Sequence, residues 1–393
     1  MTASTSPTWP EFRFGVFLAP YHSVRENPVL TYERDFQLIE HLDRLGYEEA
    51  WVGEHHSGGL ENIASPEVFI AAAAERTRYI RLGSGVVSLP YHNPLMVAER
   101  AIQLDYQTRG RFMLGVGPGA LPSDASMIGV DPMRIREMMN ESLEALVPLV
   151  RGEQVTRSTD WFTLSEARVQ HPPYSRPGLE MAVAAMVSPA GPRAAGKFGM
   201  GLLSLGATSE AGYMALANAW EICEEEAARH HQSVHRRNWR LVGPMHIAET
   251  REQAIENVRW GMKDWADYYT NVIALPFDFP AEGFEDQVRT LTETGFAVIG
   301  DPDDAIRQIE RLQQQSGGAG AFLTMATNWA DFPNTLKSYD LFARYVIPHF
   351  RRDNVNRVDS MNWVSDNRER FLGTARTARQ AAVDSYARER EEK

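Results

Sequence analysis

The sequence contains a single cysteine, Cys223, among 393 residues. One cysteine excludes a disulfide framework or a cysteine-based metal site within one chain, and it favours a reducing compartment. Nowhere do about 18 apolar residues run uninterrupted, and residues 1–11 lack the basic and apolar regions of a secretory signal. We therefore expect a cytoplasmic protein with no membrane partner.

Positive charge is also scarce. The chain has 40 lysines and arginines against 52 aspartates and glutamates, which gives a formal net charge of -12. Binding to nucleic acid needs a basic stripe on the surface, and the sequence has no lysine and arginine cluster of that size. These observations exclude a nucleic-acid partner and favour a small, neutral or apolar ligand.

Short apolar segments alternate with helical patterns along most of the chain, whose hydrophobic content of 43% can form a sizeable core. Eight segments predict buried strands: 12–18, 49–53, 79–87, 111–116, 179–184, 201–205, 241–247 and 319–325. An inserted hairpin is predicted over 156–169. The order favours an α/β fold, a (β/α)₈ TIM barrel with insertions over residues 1–350, ahead of a two-domain doubly wound sheet.

Two segments fall outside the simple alternation. Residues 260–294 are rich in aromatic side chains and are interrupted by two prolines, and an insertion of that length between a strand and its helix is usually a lid or a binding element. Its aromatic and proline residues are Trp260, Trp265, Tyr268, Tyr269, Pro276, Phe277, Phe279, Pro280 and Phe284. Residues 351–393 are charged and weakly periodic, and we expect a C-terminal helical arm that packs on a second subunit of a homodimer.

A polar cluster follows the second predicted strand, where Glu54, His55 and His56 precede a run of glycines. In a TIM barrel, side chains at the carboxyl end of a strand line the mouth where chemistry occurs. A satisfied packing network is an equally good interpretation of this stretch alone. A metal site is a weaker one, because adjacent histidines point in opposite directions and no His-x-His spacing is present.

Two glycine-containing segments could bind phosphate. Residues 115–120 match the dinucleotide pattern G-x-G-x-x-A, but Pro122 follows and no helix is expected to begin there, so we interpret the match as chance. The second segment is 186–192, where a helix starts after the fifth strand and could leave backbone N–H groups for an anion. A plain capped helix fits this second segment equally well.

Two charged side chains stand near these segments. Arg136 falls in the first turn of a predicted helix and could pair with a phosphate as a bidentate donor, or could simply face solvent. Asp124, in the loop after the fourth strand, could contact a cofactor ring or could be an ordinary turn residue.

Several of these segments taken together resemble a known family. The segments are Gly53 to His56, Gly83 to Pro90 with His92 to Pro94, Asp105 with Gly110 to Phe112, and Asp124 with Gly129 to Asp131 and Arg136. This pattern is similar to the bacterial luciferase-like flavin-dependent monooxygenases, most of all to the limonene 1,2-monooxygenase type. The resemblance spans residues 12–350.

The resemblance implies a TIM barrel that binds reduced FMN (FMNH2) delivered by a separate NAD(P)H-dependent flavin reductase. It implies a reaction with O2 through a flavin C4a-hydroperoxide, with no metal. A small apolar organic substrate would then be oxygenated, by alkene epoxidation or by ketone or aldehyde oxidation. The alternatives are an F420-dependent dehydrogenase or reductase of the same superfamily, and a flavin-binding protein without turnover.

The resemblance also assigns roles to residues. It implies that His55 is the active-site histidine and that Asp124 tunes the flavin ring, and we expect both to be catalytic. Exchange of a proton with the reacting group would suit a histidine that titrates near neutrality. The cofactor-binding residues that it implies are Glu54 beside the flavin, Gly85 and Val86 as a cis peptide under the ring, and Arg136 and Ser188 at the phosphate. Met186, Val187 and Gly191, in the same segment as Ser188, are further cofactor-binding candidates. The chain departs from luciferase at Pro118, where luciferase has a second phosphate-contacting arginine, and at Gly117, where luciferase has a reactive cysteine; Arg193 could replace the missing arginine.

Overall fold

The computed structural model describes residues 11–273 and 283–391. Its strands are β1 (Arg13–Leu18), β2 (Glu49–Val52), β3 (Arg81–Ser84), β4 (Val87–Ser88), β5 (Phe112–Gly117), β6 (Val155–Ser158), β7 (Thr163–Ala167), β8 (Met181–Ala185), β9 (Gly201–Ser204), β10 (Trp239–Ile247), β11 (Val298–Gly300) and β12 (Ala321–Met325). Its α-helices are α1 (Pro28–Leu45), α2 (Pro66–Arg76), α3 (Pro94–Gln107), α4 (Pro122–Ile128), α5 (Ile135–Val150), α6 (Ala190–Phe198), α7 (Glu210–Arg229), α8 (Arg251–Val258), α9 (Met262–Asn271), α10 (Phe284–Glu293), α11 (Pro302–Ser316), α12 (Phe332–Leu341), α13 (Ile347–Arg351), α14 (Val355–Asp366) and α15 (Arg368–Glu391).

Eight parallel strands form a closed ring in the order β1, β2, β3, β5, β8, β9, β10 and β12, and β12 pairs again with β1. Helices separate the successive strands of the ring. The predicted TIM barrel is therefore confirmed, and the doubly wound alternative is wrong because an open sheet would not close. The predicted hairpin is also present, since β6 and β7 pair antiparallel.

The interior of the barrel is filled around Trp51, a fully buried side chain of β2. Glycines on β3 and β5 make room for its indole ring: a Cβ atom would lie 2.6 Å from the ring at Gly83 and 2.9 Å from it at Gly115. Beneath it, the buried Arg240 donates to both carboxylate oxygens of Glu49, at 2.9 and 3.0 Å. This ion pair lies at the amino end of the barrel, so the opposite, carboxyl end is left for a ligand.

Two elements were not expected from the sequence, α4 and β11. The expectation that no helix begins after residues 115–120 is wrong, because α4 starts at Pro122. Its sequence carries ordinary helix signals, with proline at the first position, Asp124 in the first turn and Gly129 in a left-handed conformation after the last. The third predicted strand is also interrupted, at Gly85 and Val86, which separate β3 from β4.

The C-terminal helices α14 and α15 bury no residue against the barrel. They carry exposed apolar side chains, among them Met361, Trp363 and Tyr386. A C-terminal helical arm is therefore confirmed. Within residues 11–273 and 283–391, no helix combines the length and apolar character that crossing a membrane requires.

Candidate functional site

His55 lies at the carboxyl end of β2, between two acids. Its Nδ1 atom is 3.3 Å from Asp124 Oδ2, and its Nε2 atom is 3.3 Å from Glu61 Oε2. The ring is 17% exposed, so it is partly open to the barrel mouth. The structure thus brings together the two residues that the resemblance implies to be catalytic, and it adds Glu61, which sequence reasoning missed.

The two acids decide the charge of the ring. Burial by itself lowers the pKa of His55, but the carboxylates of Glu61 and Asp124 outweigh burial and raise this pKa to about 9. Burial likewise acts to raise the pKa of Asp124, and the hydrogen bonds from His55 and Ser57 overcome it, so this pKa is lowered. At neutral pH the pair is therefore an imidazolium and a carboxylate. This pKa lies above the near-neutral range that we expected for the role of His55.

Asp124 is fixed in place by the loop that follows β2. Ser57 Oγ donates to Asp124 Oδ1 at 2.5 Å and lies 2.7 Å from Ser123 Oγ. Tyr91 stands near the same carboxylate, and burial together with Asp124 and Glu54 raises the pKa of its phenol to about 12. Neither Ser57 nor Tyr91 carried a sequence signal, because each reaches the site through loop folding rather than through a motif.

Glu54 lies behind the surface of the site. Its Oε1 atom is 2.9 Å from His56 Nε2 and 2.8 Å from His92 Nε2, and its Oε2 atom accepts a hydrogen bond from the backbone N–H of Ser88 at 2.9 Å. The side chain is 1% exposed. His55 and His56 thus face different partners, as their adjacency on an extended backbone predicted. Glu54 holds the segment after β3 in position, and its carboxylate does not present a free oxygen to the barrel mouth.

The peptide bond between Gly85 and Val86 is cis, as the resemblance implies. The backbone N–H of Gly85 donates to the carbonyl of Val52 at 2.6 Å, which ties this peptide to the end of β2 and to the polar cluster. A Cβ atom at Gly117 would lie 2.6 Å from Val86 Cγ2. Gly117, at the position where luciferase has a cysteine, therefore leaves room for Val86.

The start of α6 carries the residues that were predicted to lie around a phosphate. No side chain caps this helix, so its first backbone N–H groups are not occupied by one. Ser188 is exposed beside Met186 and Val187, which are 45% and 48% exposed. Gly191 is buried, and a Cβ atom there would lie 2.7 Å from Ala185 Cβ, so close packing of α6 on β8 accounts for this glycine.

Arg136 differs from the arginines around it. It is exposed in the first turn of α5, and it forms no ion pair with any of the residues that the structure describes. Arg134, at the start of the same helix, is instead paired with Asp160 at 2.5 Å, and Arg193 is paired with Glu226 at 3.0 Å. Arg193 is thus already engaged and is a poor replacement for the missing luciferase arginine.

Helices α5 and α6 are joined by an ion pair, since Lys197 Nζ of α6 contacts Glu144 Oε1 of α5 at 2.8 Å. The two helices follow β5 and β8, which are neighbouring strands of the ring, so both helices begin on the side of the carboxyl end of the barrel.

Part of the aromatic insertion covers the loop after β2. A Cβ atom at Gly58 would lie 2.6 Å from the hydroxyl of Tyr268, a buried residue of α9. The ring of Tyr268 packs against Tyr21 at 5.7 Å, and Trp265 packs edge-on against Trp329 at 5.1 Å. Four of the aromatic and proline positions of the predicted lid lie outside the described residues: Pro276, Phe277, Phe279 and Pro280.

Residues 12–319 match the family described as luciferase-like monooxygenase, and the chain belongs to that family. It is therefore an oxidoreductase, a monooxygenase of the flavin-dependent type, and the resemblance found in the sequence is confirmed.

Two relatives are similar over almost the whole chain. Limonene 1,2-monooxygenase of Rhodococcus erythropolis is 45% identical over 377 residues, which cover 96% of this chain and 96% of the relative. The 4-hydroxyprotoasukamycin monooxygenase of Streptomyces nodosus subsp. asukaensis is 42% identical over 366 residues, covering 92% and 99%.

Solved structures share the fold at lower identity. Monooxygenase RslO1 from Streptomyces bottropensis superposes with a TM-score of 0.75 at 20% identity, covering 86% of this chain and 100% of that one. A second structure is the oxygenating constituent of 3,6-diketocamphane monooxygenase from Pseudomonas putida, a type II Baeyer-Villiger monooxygenase in complex with FMN. It superposes with a TM-score of 0.69 at 22% identity, and the match covers 86% of this chain and 98% of that one.

Proposed function

We propose that this protein binds reduced FMN at the barrel mouth and uses O2 to oxygenate a small apolar organic substrate, either by alkene epoxidation or by ketone or aldehyde oxidation. The observation that carries the proposal is the position of His55 at the carboxyl end of β2, with Nδ1 3.3 Å from Asp124 Oδ2 and Nε2 3.3 Å from Glu61 Oε2. The 45% identity to a limonene 1,2-monooxygenase over nearly the full chain supports the substrate class.

The residues present fit an FMN molecule. Arg136 and the uncapped start of α6 at Ser188 would hold its phosphate, with Met186 and Val187 beside it, and the peptide at Gly85 would lie under the ring. Reduced FMN, when bound, supplies the electrons that activate O2 for transfer of one oxygen atom to the substrate. We place Asp124 next to the flavin ring, with Glu54 behind it as support.

His55 acts in this account as a hydrogen-bond donor and acid. Its Nδ1 atom is held by Asp124, and its Nε2–H, which lies beside Glu61 Oε2, is the donor that would bond to an oxygen of the reacting group. The aromatic insertion acts as the lid, because Tyr268 and Trp265 are buried and the Tyr268 hydroxyl lies over Gly58 of the loop after β2. Residues 1–350 would thus bind both ligands and carry out the chemistry.

The F420 alternative is less well supported. An F420-dependent secondary alcohol dehydrogenase has a TM-score of 0.65 with this chain but only 20% identity, and likeness at that level concerns the barrel alone. The relatives that align over nearly the full chain at above 40% identity are both monooxygenases. We therefore propose FMNH2, supplied by a separate NAD(P)H-dependent flavin reductase, for a cytoplasmic homodimer.

The test is isotopic. The purified protein is mixed with FMNH2, ¹⁸O2 and one substrate at a time from a panel of cyclic alkenes and cyclic ketones, and products are analysed by mass spectrometry. We expect one ¹⁸O atom per product molecule and no product without FMNH2. Product formed without oxygen, on supplying reduced or oxidised F420, would contradict the proposal.

The His55→Ala variant provides the control for mechanism. It should retain FMNH2 binding, because the residues proposed to bind the phosphate are unchanged. The yield of product should fall and the yield of hydrogen peroxide should rise. If the ratio of product to peroxide stays at the wild-type value, His55 does not take part in the reaction.

A further inference from the structure

We infer that Glu61 is a positioning residue, which orients the imidazolium of His55 from the side opposite Asp124 and shares with Asp124 the task of holding its charge. This inference rests on the proposed function for its use in catalysis, but the contact itself can be tested without any cofactor.

The loop after β2 folds so that Glu61 comes alongside the ring. The backbone N–H of His55 donates to the carbonyl of Ile63 at 3.2 Å, which turns the chain back on itself within eight residues. The loop is tied to α1, since Tyr32 donates to the carbonyl of Asn62 at 2.6 Å and Asn62 donates to Thr31 at 2.9 Å. The position of Glu61 is thus built into the fold.

The environment of Glu61 suits a partner for a cation. Its side chain is 13% exposed, and within the described residues its Oε2 atom accepts no hydrogen bond of good geometry. The charged atom that compensates its burial is His55 Nε2, at 3.3 Å. A neutral His55 would leave this carboxylate buried without compensation, so Glu61 favours the protonated ring.

Among the described residues, the carboxylates that face the pair all act in the same direction, and the phenols that face it are neutral. Glu54, Glu61 and Asp124 favour the charged ring. On α9, burial raises the pKa of Tyr268 and Tyr269, and Glu61 raises both further, so these phenols remain neutral. Burial and the charge of Asp124 likewise raise the pKa of Tyr91, so its phenol also remains neutral.

The two contacts of the ring are unequal. Asp124 is also fixed by Ser57, whereas the contact of Glu61 is an ion pair without hydrogen-bond geometry. An incoming oxygen atom can therefore replace Glu61 as the partner of Nε2–H while Nδ1 stays on Asp124. Glu61 thus orients the Nε2–H donor of His55, and it accepts no strong hydrogen bond that an incoming oxygen atom would have to break.

The test measures the protonation of His55 in cofactor-free protein. The protein is labelled with ¹⁵N-histidine, the ring signals of its 11 histidines are followed by NMR from pH 5 to 10, and His55 is identified by the signal that His55→Gln removes. We expect the wild-type midpoint to lie above that of an ordinary histidine. In Glu61→Gln the midpoint should be at least one pH unit lower, which is a tenfold increase in the acid dissociation constant of the ring.

Two variants separate a charge effect from a structural one. Glu61→Asp keeps the carboxylate and should restore most of the midpoint, whereas Glu153→Gln, which removes the same charge at an exposed turn, should leave it unchanged. With FMNH2 and substrate, peroxide leakage in Glu61→Gln should increase from a lower pH than in the wild type. An unchanged midpoint in Glu61→Gln would overturn the inference, whereas failure to bind FMNH2 would overturn only the proposed function.

Discussion

At the scale of single residues, the charge of His55 sets what the site can do. An imidazole whose pKa lies near 9 carries a proton across the physiological range, so it donates hydrogen bonds and is a poor base. The positive charge of the protonated ring attracts an electron-rich oxygen atom to Nε2. Asp124 and Glu61 are therefore best understood as groups that determine the protonation state of His55.

The same shift makes stability depend on pH. The pKa of His55 is raised from its ordinary value of 6.5 to about 9, so the folded protein holds a proton that the unfolded chain releases. The contribution is fully present below pH 6.5 and is lost as pH rises through about 9; the shift corresponds to at most roughly 3 kcal/mol. We predict that the difference in free energy of unfolding between wild type and His55→Gln, from urea titrations, decreases between pH 6.5 and 9. A difference that grows over that interval would show that His55 is not held as a cation.

Arg136 provides a second prediction at this scale. Arg136→Ala should weaken FMNH2 binding by about 1.5–3 kcal/mol, the range of a charge-assisted hydrogen bond, and should leave turnover intact at saturating flavin. Arg134→Ala is the matched control, because Arg134 starts the same helix but is already paired with Asp160. Dissociation constants from fluorescence titration under anaerobic conditions give the comparison. Equal effects of the two substitutions would remove Arg136 from the phosphate site.

At the scale of elements, the site depends on how closely α6 approaches β8. We predict that Gly191→Ala displaces the helix start, because its Cβ atom would lie 2.7 Å from Ala185 Cβ. The expected cost is about 1–3 kcal/mol in the free energy of unfolding, as for other overpacked contacts, together with weaker FMNH2 binding. Gly178→Ala is the control, since no atom lies within 4 Å of a Cβ there. Melting temperatures that fall equally in both variants would argue against this packing role.

The elements also show what could be predicted from sequence. The eight barrel strands were predictable because each is a short buried run between helical patterns. Helix α4 was missed because seven residues are too few for a periodic pattern, although Pro122 and Gly129 mark its two ends. Glu61 could not be predicted, since its contact with His55 depends on a loop that turns back through Ile63. The arrangement of the acids around His55 is thus a property of tertiary structure.

At the scale of the whole molecule, charge is unevenly distributed. Residues 351–393 contain ten arginines and lysines against eight acids, whereas the complete chain contains 40 against 52. The arm therefore differs in sign from the acidic remainder, and it exposes apolar side chains such as Trp363 without burying any against its own barrel. This combination fits an arm that packs on the acidic barrel of a second copy.

Deleting residues 354–393 tests that arrangement. We predict that the full chain is a dimer and the shortened chain a monomer in size-exclusion chromatography with light scattering. The barrel itself should remain folded, because α14 and α15 contribute no buried residue to it. A dimer that persists after the deletion would place the interface elsewhere on the barrel.

The central claim, that the barrel mouth is a site for reduced FMN, is tested most directly by equilibrium binding. Purified protein is titrated with FMNH2, oxidised FMN and reduced F420 under strictly anaerobic conditions, followed by flavin fluorescence and calorimetry. We predict saturable binding of FMNH2 at one site per chain, weaker binding of oxidised FMN and no saturable binding of F420. Saturable binding of F420 without binding of FMNH2 would contradict the account.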